Sequence, residues 1–549
     1  MNREEILNLA NKLVQIPSIT GTREENEAAK YIRDWFLELP YFKENPTHLS
    51  YIKTQPEGQE DHDLHAVVAW VHAAKPTKRT LLFISHFDVV DVQNYGSLAS
   101  HAFSPDDLLG HFSKEDMPPD VRKDLESGNF LFGRGSMDMK FGAALEMSLL
   151  ASLARDRNLY DVNIMVAFVG DEENCSTGMR GAITHIVDIA KSEGLEFLAC
   201  INTEPGDAGH PDGGTNPFIF LGSMGKILPV FYVLGKPAHV GNYYNGLSAA
   251  LIASHLVVAA EGSPELADVC GESTPPSWIC LETKLLKEGY NVTVPHRALV
   301  YFNCYTAKKT PTQIMDEMQT IARRALDRAS DQIAISSKSM INMGYSGQPF
   351  AGSGADVITY HDLYQAAEAH FSGDFESYMK RFLDAIPPGD PRDRGKALIE
   401  ETLRISGKTG PLIVTAFLSP YMPPRSDRAG CPTDERLVAA AKRVADYASE
   451  KFSIEMRFAQ YYMGLCDLSY ISLESDRSEF DIYEKNLPGW GDLYSLPFDA
   501  MSTLDMPVIN LGPLGREAHR KYERVELSYS LDTLPKLMDR LIRELSAEK

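Results

Sequence analysis

The sequence lacks several features that would assign it to a particular class of protein. It has no run of about 18 apolar residues that would predict a membrane span. Its seven cysteines are scattered without a Cys-x-x-Cys pair, which argues for free thiols in a reducing compartment rather than a disulfide or zinc–thiolate scaffold. Its first residues lack the basic start and apolar core of a signal peptide. The protein is therefore predicted to be cytoplasmic.

Basic charge and three catalytic motifs are also missing. Lys and Arg number 54 against 76 Asp and Glu, a net charge of −22, which disfavours nucleic acid or an anionic membrane as a partner. There is no Gly-x-x-x-x-Gly-Lys-Ser/Thr, Gly-x-Ser-x-Gly or His-Glu-x-x-His motif, so P-loop, α/β-hydrolase and zincin chemistry are not predicted. A Gly-x-Gly-x-x-Gly pattern that begins at Gly133 ends instead on Asp138, which would repel a pyrophosphate.

What is present indicates more than one domain. A chain of 549 residues exceeds the roughly 250–300 residues of a single core. Strand-like and helical patterns alternate from the N-terminus, which predicts an α/β fold with a mostly parallel sheet. In this part, helices are expected at 3–16, 26–37, 141–153 and 181–191, strands at 65–71, 80–84, 163–169 and 197–201, and irregular chain at 92–128.

The pattern changes after residues 211–214, where an inserted α+β domain is predicted. Strand, helix, strand, strand and helix follow in the order of a split β-α-β, ferredoxin-like unit. These elements are expected at 226–234, 247–260, 278–286, 298–305 and 312–329, with a helical elaboration at 356–407 and a last strand at 414–417. Helices at 435–451 and 531–545 and strands at 454–461 and 507–510 would then complete the first domain. The predicted domains are a catalytic domain of residues 1–214 and 425–549 and an inserted domain of residues 215–424.

Histidines and carboxylates follow the predicted buried strands of the first domain. Because ligands of open α/β sheets bind at the carboxyl ends of the strands, these side chains are expected to meet at one edge of the sheet. They are His86 and Asp88 after the strand at 80–84, Glu172 and Glu173 after that at 163–169, Glu204 after that at 197–201, and His519 a few residues beyond that at 507–510.

The residue types at this edge favour a metal centre. Imidazole with several carboxylates and no thiolate suits zinc, with cobalt or manganese as alternatives. Two metals about 3.5–4 Å apart need a shared carboxylate, and Asp138 is the candidate bridge. Asp88 could orient the imidazole of His86. One of the two adjacent glutamates could ligate while the other takes a proton from metal-bound water.

Each of these residues also has an ordinary structural interpretation. A single histidine at a strand end is more often a hydrogen-bonded structural residue than a ligand. Adjacent glutamates often form a solvated turn or a helix N-terminus, and Asp138 could cap the helix that follows it. Their joint occurrence in comparable positions favours the metal site.

The order of these segments resembles that of the M20 family of metallopeptidases and aminoacylases. The resemblance implies a zinc-exopeptidase-like catalytic domain and an inserted lid or dimerisation domain. It rests on Ser-His-Phe-Asp-Val-Val at 85–90, Gly-Arg-Gly-Ser-Met-Asp-Met-Lys at 133–140, Asp-Glu-Glu-Asn-Cys-Ser-Thr-Gly at 171–178, Glu204, and Gly-Pro-Leu-Gly-Arg-Glu-Ala-His at 512–519. More narrowly, the segments at 84–91, 130–140 and 222–226 resemble a branch of the family linked to arginine utilisation.

The resemblance also implies roles for individual residues. Glu172 would be the general base, Asp88 would orient a ligating imidazole, and the peptide after Asp138 would be cis. Two divalent metals would share Asp138, with the first completed by His86 and Glu204 and the second by Glu173 and His519.

In the inserted domain, His239 matches the family segment whose histidine reaches the substrate carbonyl oxygen, often from the other subunit. This match implies a homodimer formed through that domain. The sequence departs from the family in two places. Tyr305 stands near the position of an arginine that binds a substrate carboxylate in many relatives, and Gly-Leu-Cys-Asp at 464–467 replaces Gly-Gly-Thr-Asp.

The combined prediction is a dinuclear metal-dependent hydrolase of an amide or peptide bond in a small peptide, an N-acyl amino acid or an arginine-pathway compound. A water bridging the metals would attack the amide carbonyl, and Glu172 would take its proton and pass it to the leaving amine. The metals, with His239, would stabilise the oxyanion. The alternative is a catalytically silent family member that acts as a ligand-binding or regulatory protein in amino-acid metabolism. Loss of a ligand or of the base would mark that alternative, and the sequence retains them all.

Overall fold

The structure, a computed structural model, describes residues 1–54, 63–206, 216–271, 274–287, 289–348 and 354–547. Its strands in chain order are β1 Leu49–Thr54, β2 Leu64–Val71, β3 Arg79–His86, β4 Phe130–Phe132, β5 Asn163–Val169, β6 Glu196–Asn202, β7 Phe218–Phe220, β8 Gly225–Leu234, β9 Ile279–Leu285, β10 Arg297–Thr306, β11 Asp356–Thr359, β12 Leu412–Met422, β13 Arg457–Ala459, β14 Val508–Asn510, β15 Gly515–Arg516 and β16 Arg524–Glu526.

Its α-helices are α1 Arg3–Val14, α2 Glu24–Leu37, α3 Pro40–Glu44, α4 Pro105–Phe112, α5 Pro119–Ser127, α6 Lys140–Arg155, α7 Thr177–Glu193, α8 Ala249–Ala260, α9 Pro311–Asn342, α10 Tyr360–His370, α11 Phe375–Ala385, α12 Pro391–Ser406, α13 Pro432–Phe452, α14 Asp481–Asn486, α15 Phe498–Leu504 and α16 Leu534–Ala547. Over the described ranges, no helix combines the length and the apolar character needed to cross a membrane.

The chain divides into two units. The first unit comprises Met1–Met224, Pro424–Glu474 and Leu496–Lys549, and the second comprises Gly225–Pro423 and Ser475–Ser495. The predicted boundary at residues 211–214 lies outside the described residues. Otherwise the division differs from the predicted one mainly at Ser475–Ser495, where the sequence shows no strong periodic pattern.

Two aromatic side chains account for the place of Ser475–Ser495 in the second unit. The Tyr483 ring lies 5.2 Å from that of Phe417. The Tyr494 hydroxyl donates a hydrogen bond to the carbonyl oxygen of Tyr421 at 3.0 Å. These contacts join residues far apart in sequence, which a local pattern does not report. The catalytic and lid roles of the two domains stay predictions.

The first unit is built on an eight-stranded sheet in the order β1-β2-β5-β3-β6-β14-β7-β13. The central strands β5, β3, β6 and β14 run parallel to their neighbours in that group, whereas β1 and β2 form an antiparallel edge. The central strand β3 is buried along nearly its whole length, as expected of a parallel strand covered by helices on both faces. This sheet confirms the predicted α/β class with a mostly parallel sheet.

Amphipathic helices cover this sheet. In α1, the Asn2 side chain accepts hydrogen bonds from the backbone of Glu4 and Glu5 and so caps the helix N-terminus. Leu9 and Leu13 on the same helix face the core. The α6 helix is buried nearly all round, which matches its apolar sequence.

The second unit contains a five-stranded sheet in the order β11-β12-β8-β10-β9. Its first five regular elements are β8, α8, β9, β10 and α9, which is the predicted order of strand, helix, strand, strand and helix. The β12 strand pairs antiparallel with β8 and parallel with β11. The predicted helical elaboration consists of α10, α11 and α12, but it is preceded by the short strand β11 rather than beginning as a helix.

Four local predictions were wrong. The helix expected at 312–329 continues to Asn342 in α9. Residues 92–128, expected to be irregular, form a 3₁₀ segment and the short helices α4 and α5, which enclose a small apolar cluster. These helices are too short to show a clear period, although a proline opens each of α4 and α5. The strand expected at 454–461 shortens to β13. The C-terminal helix begins with a π-helical turn at Ser528–Thr533.

Candidate metal centre

Three neighbouring parallel strands deliver the first residues of the site to one edge of the sheet. His86 is the last residue of β3 and lies opposite Val169, the last residue of β5. Ile84 lies opposite Asn202, the last residue of β6. The segments that follow these strands therefore start at the same level, as the rule for open α/β sheets requires.

The side chain of Asp138 lies between two imidazoles. Its Oδ1 is 3.2 Å from Nε2 of His86, and its Oδ2 is 3.1 Å from Nε2 of His519. On the first side, Oε1 of Glu204 lies 3.3 Å from the same His86 nitrogen. On the second side, Oε1 of Glu173 lies 2.8 Å from the same His519 nitrogen. The geometry thus contains two groups of nitrogen and oxygen donors that share one aspartate.

The loop before α6 brings Asp138 to this position. Gly135 has φ +76°, and a Cβ there would lie 2.5 Å from Cγ1 of Val89, so the close approach requires glycine. The peptide between Asp138 and Met139 is cis, as the family resemblance implied. Asp138 does not cap α6 with its side chain, because the residue before the helix is Met139 and no side-chain cap is formed.

Glu523 holds this loop from behind. One of its carboxylate oxygens accepts hydrogen bonds from the backbone N–H of Met137 at 3.2 Å and of Asp138 at 3.3 Å. Its other oxygen forms an ion pair with Arg134, and both side chains are fully buried. The backbone of Asp138 is therefore fixed by a buried carboxylate that also pairs with Arg134.

Asp88 holds the two adjacent glutamates as well as the first histidine. Its two carboxylate oxygens accept the backbone N–H groups of Glu172 and Glu173, each at 3.2 Å, and a hydroxyl bond from Thr20 at 2.9 Å. Nδ1 of His86 lies 3.0 Å from the backbone carbonyl of Asp88 and 3.4 Å from its carboxylate. The backbone oxygen thus makes the closer contact to the imidazole, and the carboxylate has a second task that the sequence did not indicate.

Burial shifts the pKa values of the carboxylates at the site. Burial raises the pKa of Glu204 to about 8, and the charge of Asp138 contributes to the shift. Burial also raises the pKa of Glu172 well above its usual range; the charge of His86 opposes this shift and that of Asp467 adds to it. The site therefore carries more carboxylate than its surroundings neutralise.

The two imidazoles respond to this excess of negative charge. Burial lowers the pKa of His519, but Glu173 and Asp138 outweigh it and bring the pKa to about 12. Burial likewise lowers the pKa of His86, and Glu204 leads the contacts that raise it above the usual range. A site whose carboxylates hold imidazoles in the charged form is one that additional cations would stabilise.

No role was predicted for three buried charged groups near the site. Asp467 is 4% exposed, and burial raises its pKa to about 7. Lys140 donates from Nζ to the carbonyl oxygen of Ile16 at 2.6 Å, and burial lowers its pKa to about 7. Glu523 is the third. A lysine at the start of the apolar α6 helix was a usable signal, whereas Asp467 and Glu523 follow no clear strand pattern.

His239 belongs to the second unit, whereas the residues that gather around Asp138 belong to the first. It is exposed, and its Nδ1 accepts a hydrogen bond from the backbone of Gly241 at 3.1 Å. The first unit brings together the other predicted residues, namely His86, Asp88, Asp138, Glu172, Glu173, Glu204 and His519. The catalytic role of His239 and the individual roles of these residues stay predictions.

The fold and the donor set together define a class, the metal-dependent hydrolases. Residues 82–488 match Peptidase family M20/M25/M40, and the chain belongs to this family. The predicted family and the predicted enzyme class are thereby confirmed.

Individual relatives cover nearly the whole chain. The uncharacterized protein YqjN from Bacillus subtilis is 33% identical over 99% of this chain and 96% of its own length. Protein RocB from the same organism is 28% identical over 97% of this chain and 94% of its own length, which confirms a similarity predicted from the segments at 84–91, 130–140 and 222–226. Among solved structures, the M20 family metallo-carboxypeptidase Sso-CP2 from Sulfolobus solfataricus aligns with a TM-score of 0.55, 14% identity and coverage of 98% of this chain and 99% of that one. This likeness supports the fold.

Proposed function

We propose that the chain is a dinuclear metal-dependent hydrolase of amide or peptide bonds in small peptides, N-acyl amino acids or an arginine-pathway compound. The observation that carries the proposal is the position of Asp138, whose two carboxylate oxygens lie 3.2 and 3.1 Å from the imidazoles of His86 and His519. An aspartate shared in this way is what two metals about 3.5–4 Å apart require.

The donor set fits two divalent cations. Within the described ranges, His86, Asp138 and Glu173 form one of two groups whose three donor atoms lie within 4.8 Å of one another. His86, Asp138 and Glu204 would hold the first cation, and Asp138, Glu173 and His519 the second. Imidazole and carboxylate donors favour zinc, with cobalt or manganese as alternatives. Bound cations would supply Lewis acidity toward the carbonyl oxygen and lower the pKa of water.

Glu172 is the proposed general base. Its carboxylate is 10% exposed, and Oε2 lies 3.9 Å from Nε2 of His86, so it faces the same space as the ligands. A carboxylate in this position can take a proton from water and pass it to the leaving amine. Asp88 holds the backbone N–H of Glu172, which positions this side chain relative to the ligands.

The range of substrates rests on the family and on the relatives. The family is one of peptidases, and the predicted resemblance of the segments at 84–91, 130–140 and 222–226 to a branch linked to arginine utilisation adds an arginine-pathway compound to the range. Tyr305 stands near the position at which the resemblance implies an arginine in many relatives. This position therefore offers no guanidinium to a free α-carboxylate of the substrate. Blocked and unblocked substrates therefore belong in the same screen.

The proposal is tested by metal analysis and a hydrolysis screen on the full chain. About two metals per chain and chelator-sensitive hydrolysis of a dipeptide or N-acyl amino acid are expected. Glu172→Gln should keep the metals, and its turnover number should fall by about 10²–10⁴-fold. Glu126→Gln, which changes an exposed glutamate on α5, is the matched control and should match the parent.

The outcomes separate the proposal from its alternative. Full activity of Glu172→Gln would refute the general-base role. A parent chain that binds no metal and hydrolyses none of the substrates would instead favour a catalytically silent member of the family that binds a ligand or regulates amino-acid metabolism.

The second unit is the proposed contact between two copies of the chain. The β9 strand lies at the edge of its sheet and exposes Ile279, Leu281 and Leu285 by 38, 53 and 46%. An exposed apolar edge strand is a template for pairing with a second strand. Leu281→Lys should convert a dimer into a monomer, as measured by light scattering. Lys284→Leu, which removes a charge from the same strand, is the control and should leave the dimer intact. A parent chain that is already monomeric at working concentration would refute the contact.

A further inference from the structure

A second group of histidine and carboxylate side chains lies in the first unit and shares no residue with the site around Asp138. His48 ends a short 3₁₀ turn before β1, His72 follows β2, and Glu193 is the last residue of α7. One ring nitrogen of each histidine and one carboxylate oxygen lie within 4.8 Å of one another. In the described part of the chain, this is the one such group besides that of His86, Asp138 and Glu173.

The separations within the group are close to those that a metal ion imposes. Nε2 of His72 lies 3.6 Å from Oε2 of Glu193. Two ligands at the usual zinc distances of about 2.0–2.2 Å lie about 3.3–3.6 Å apart in a tetrahedral site. Because the widest gap is at most 4.8 Å, small side-chain rotations would close the group around one ion. His72 and Glu193 are 26 and 36% exposed, which leaves room for such rotations.

Neighbouring groups already hold the imidazole of His48 and the backbone of His72. The Tyr41 hydroxyl lies 2.8 Å from Nδ1 of His48, so the other ring nitrogen, Nε2, is the one available to a metal ion. The same hydroxyl accepts the backbone N–H of His72 at 3.1 Å. The His48 ring stacks on Trp70 with 5.0 Å between the ring centres. Metal-ligating histidines are commonly fixed by a hydrogen bond to their second nitrogen.

The backbone that carries His72 is anchored as well. The Arg157 guanidinium donates to the carbonyl oxygens of His72 at 2.9 Å and of Ala73 at 3.1 Å. The position of the second imidazole thus depends on contacts that are made whether or not Glu193 approaches it.

We propose that His48, His72 and Glu193 bind one zinc-class divalent cation, with water in the remaining position. Two imidazoles and one carboxylate are a known donor set for zinc with an open fourth position. The ion would connect the turn before β1, the end of β2 and the end of α7. This site would be occupied in addition to the metals proposed at Asp138, and it is independent of the proposed catalytic function.

The test is a count of zinc per chain after equilibrium dialysis of the full chain at a fixed free zinc concentration, with parallel thermal unfolding. His72→Gln and Glu193→Gln should each lose one zinc per chain relative to the parent, or bind it at least about tenfold more weakly. They should keep the parental rate of hydrolysis, since none of these residues belongs to the site around Asp138. Zinc should also raise the unfolding temperature of the parent more than that of either variant.

A second histidine pair provides the matched control. The rings of His101 and His111 lie 4.2 Å apart, but they belong to no three-donor group among the described residues. His101→Gln should therefore leave the zinc count unchanged. Equal counts in the parent and in both site variants would overturn the proposal, and an equal loss in His101→Gln would show that surface histidines bind zinc without a specific site. Glu193→Gln decides the matter if a histidine variant folds poorly, because Glu193 lies at an exposed helix end.

Discussion

Two buried carboxylates of the first unit stand in opposite electrostatic surroundings. Asp434 is 1% exposed and lies within 3.0 Å of the Arg428 guanidinium and 3.3 Å of that of Arg425. Burial opposes ionisation, but these arginines lower the pKa of Asp434 to about 2. Glu204 is 2% exposed and faces an imidazole and other carboxylates, and burial raises its pKa to about 8.

The difference shows which carboxylates the fold itself neutralises. Asp434 has full cations as partners and so stabilises the folded chain. Glu523 also pairs with an arginine, Arg134, but burial outweighs this contact and raises the pKa of Glu523 to about 7. Glu204 and Glu172 are left with less positive charge than they need, which lowers the stability of the folded chain until cations bind. Residues arranged for function at a cost in stability are typical of active sites.

The largest effect is expected when the shared carboxylate is changed. Asp138→Asn removes charge from both halves of the site, and loss of several kcal/mol of transition-state stabilisation should reduce kcat/KM by about 10³-fold or more. Metal content measured by mass spectrometry should fall in parallel. Asp106→Asn, on the exposed surface of α4, is the control. Retention of both metals and of activity in Asp138→Asn would contradict the bridging role.

Asp434→Asn should lower the free energy of unfolding by about 3 kcal/mol, because it leaves buried arginine charge without its partner. The folded pKa of Asp434 is lowered to about 2, so its stabilisation is fully present above the ordinary aspartate pKa of about 3.9 and is lost as the pH falls from there towards about 2. The variant should therefore show a weaker loss of stability in acid than the parent. Urea unfolding at a series of pH values measures both effects.

Glu204→Gln is the matched counterpart of that variant. In chelator-treated protein at neutral pH it should leave the free energy of unfolding unchanged or higher. Burial raises the pKa of Glu204 to about 8, so folding must either protonate this carboxyl or bury its charge, and glutamine avoids both costs. A decrease in the free energy of unfolding as large as that of Asp434→Asn would show that Glu204 stabilises the folded chain as Asp434 does, and would contradict the comparison.

Removal of the metals from the parent with a chelator should lower its free energy of unfolding, because the site around Asp138 then loses its cations. A ligand present at about 100 times its Kd stabilises the folded state by about 2.7 kcal/mol, so removal of the metals should lower the unfolding temperature measurably. In Glu204→Gln this drop should be smaller. An identical drop in both proteins would place the stabilising metal elsewhere in the chain.

The smallest effect is expected when Glu523, which holds the backbone of Asp138, is changed. Glu523→Ala removes the acceptor for the Met137 and Asp138 N–H groups and leaves Arg134 without its partner, so metal affinity should fall about 10–100-fold. Glu523→Gln keeps an acceptor oxygen and should recover part of that loss. Equal metal affinity in the parent and both variants, measured with a competing chelator, would contradict the positioning role.

Much of the site could be predicted because its residues follow local patterns. His86 and Glu204 come directly after apolar runs that had to be buried strands, and the rule for parallel sheets then places them at one edge. Glu523 could not be found in this way. It is 385 positions from Asp138 in sequence, and it precedes the short strand β16, which pairs with β4 in a separate three-stranded sheet.

The errors in the fold have a similar origin. The helices α4 and α5 are 8 and 9 residues long, which is too short for a hydrophobic period to stand out from a loop. Ser475–Ser495 joins the second unit through aromatic contacts to residues of β12, and no feature within the segment indicates them. Most of the long periodic elements, in contrast, were predicted to within a few residues. The exception is α9, which was expected at 312–329 and continues to Asn342.

The sequence by itself determined the α/β class, the order of the longer helices and strands and the residue types available to a metal centre, because these follow from periodicity and from chemistry at strand ends. Only the tertiary structure decided which oxygen of Asp138 faces which imidazole, that Asp88 holds the two glutamates by their backbone, and that His48, His72 and Glu193 meet. These are contacts between segments far apart in the chain, and their geometry depends on how the whole sheet and its helices pack.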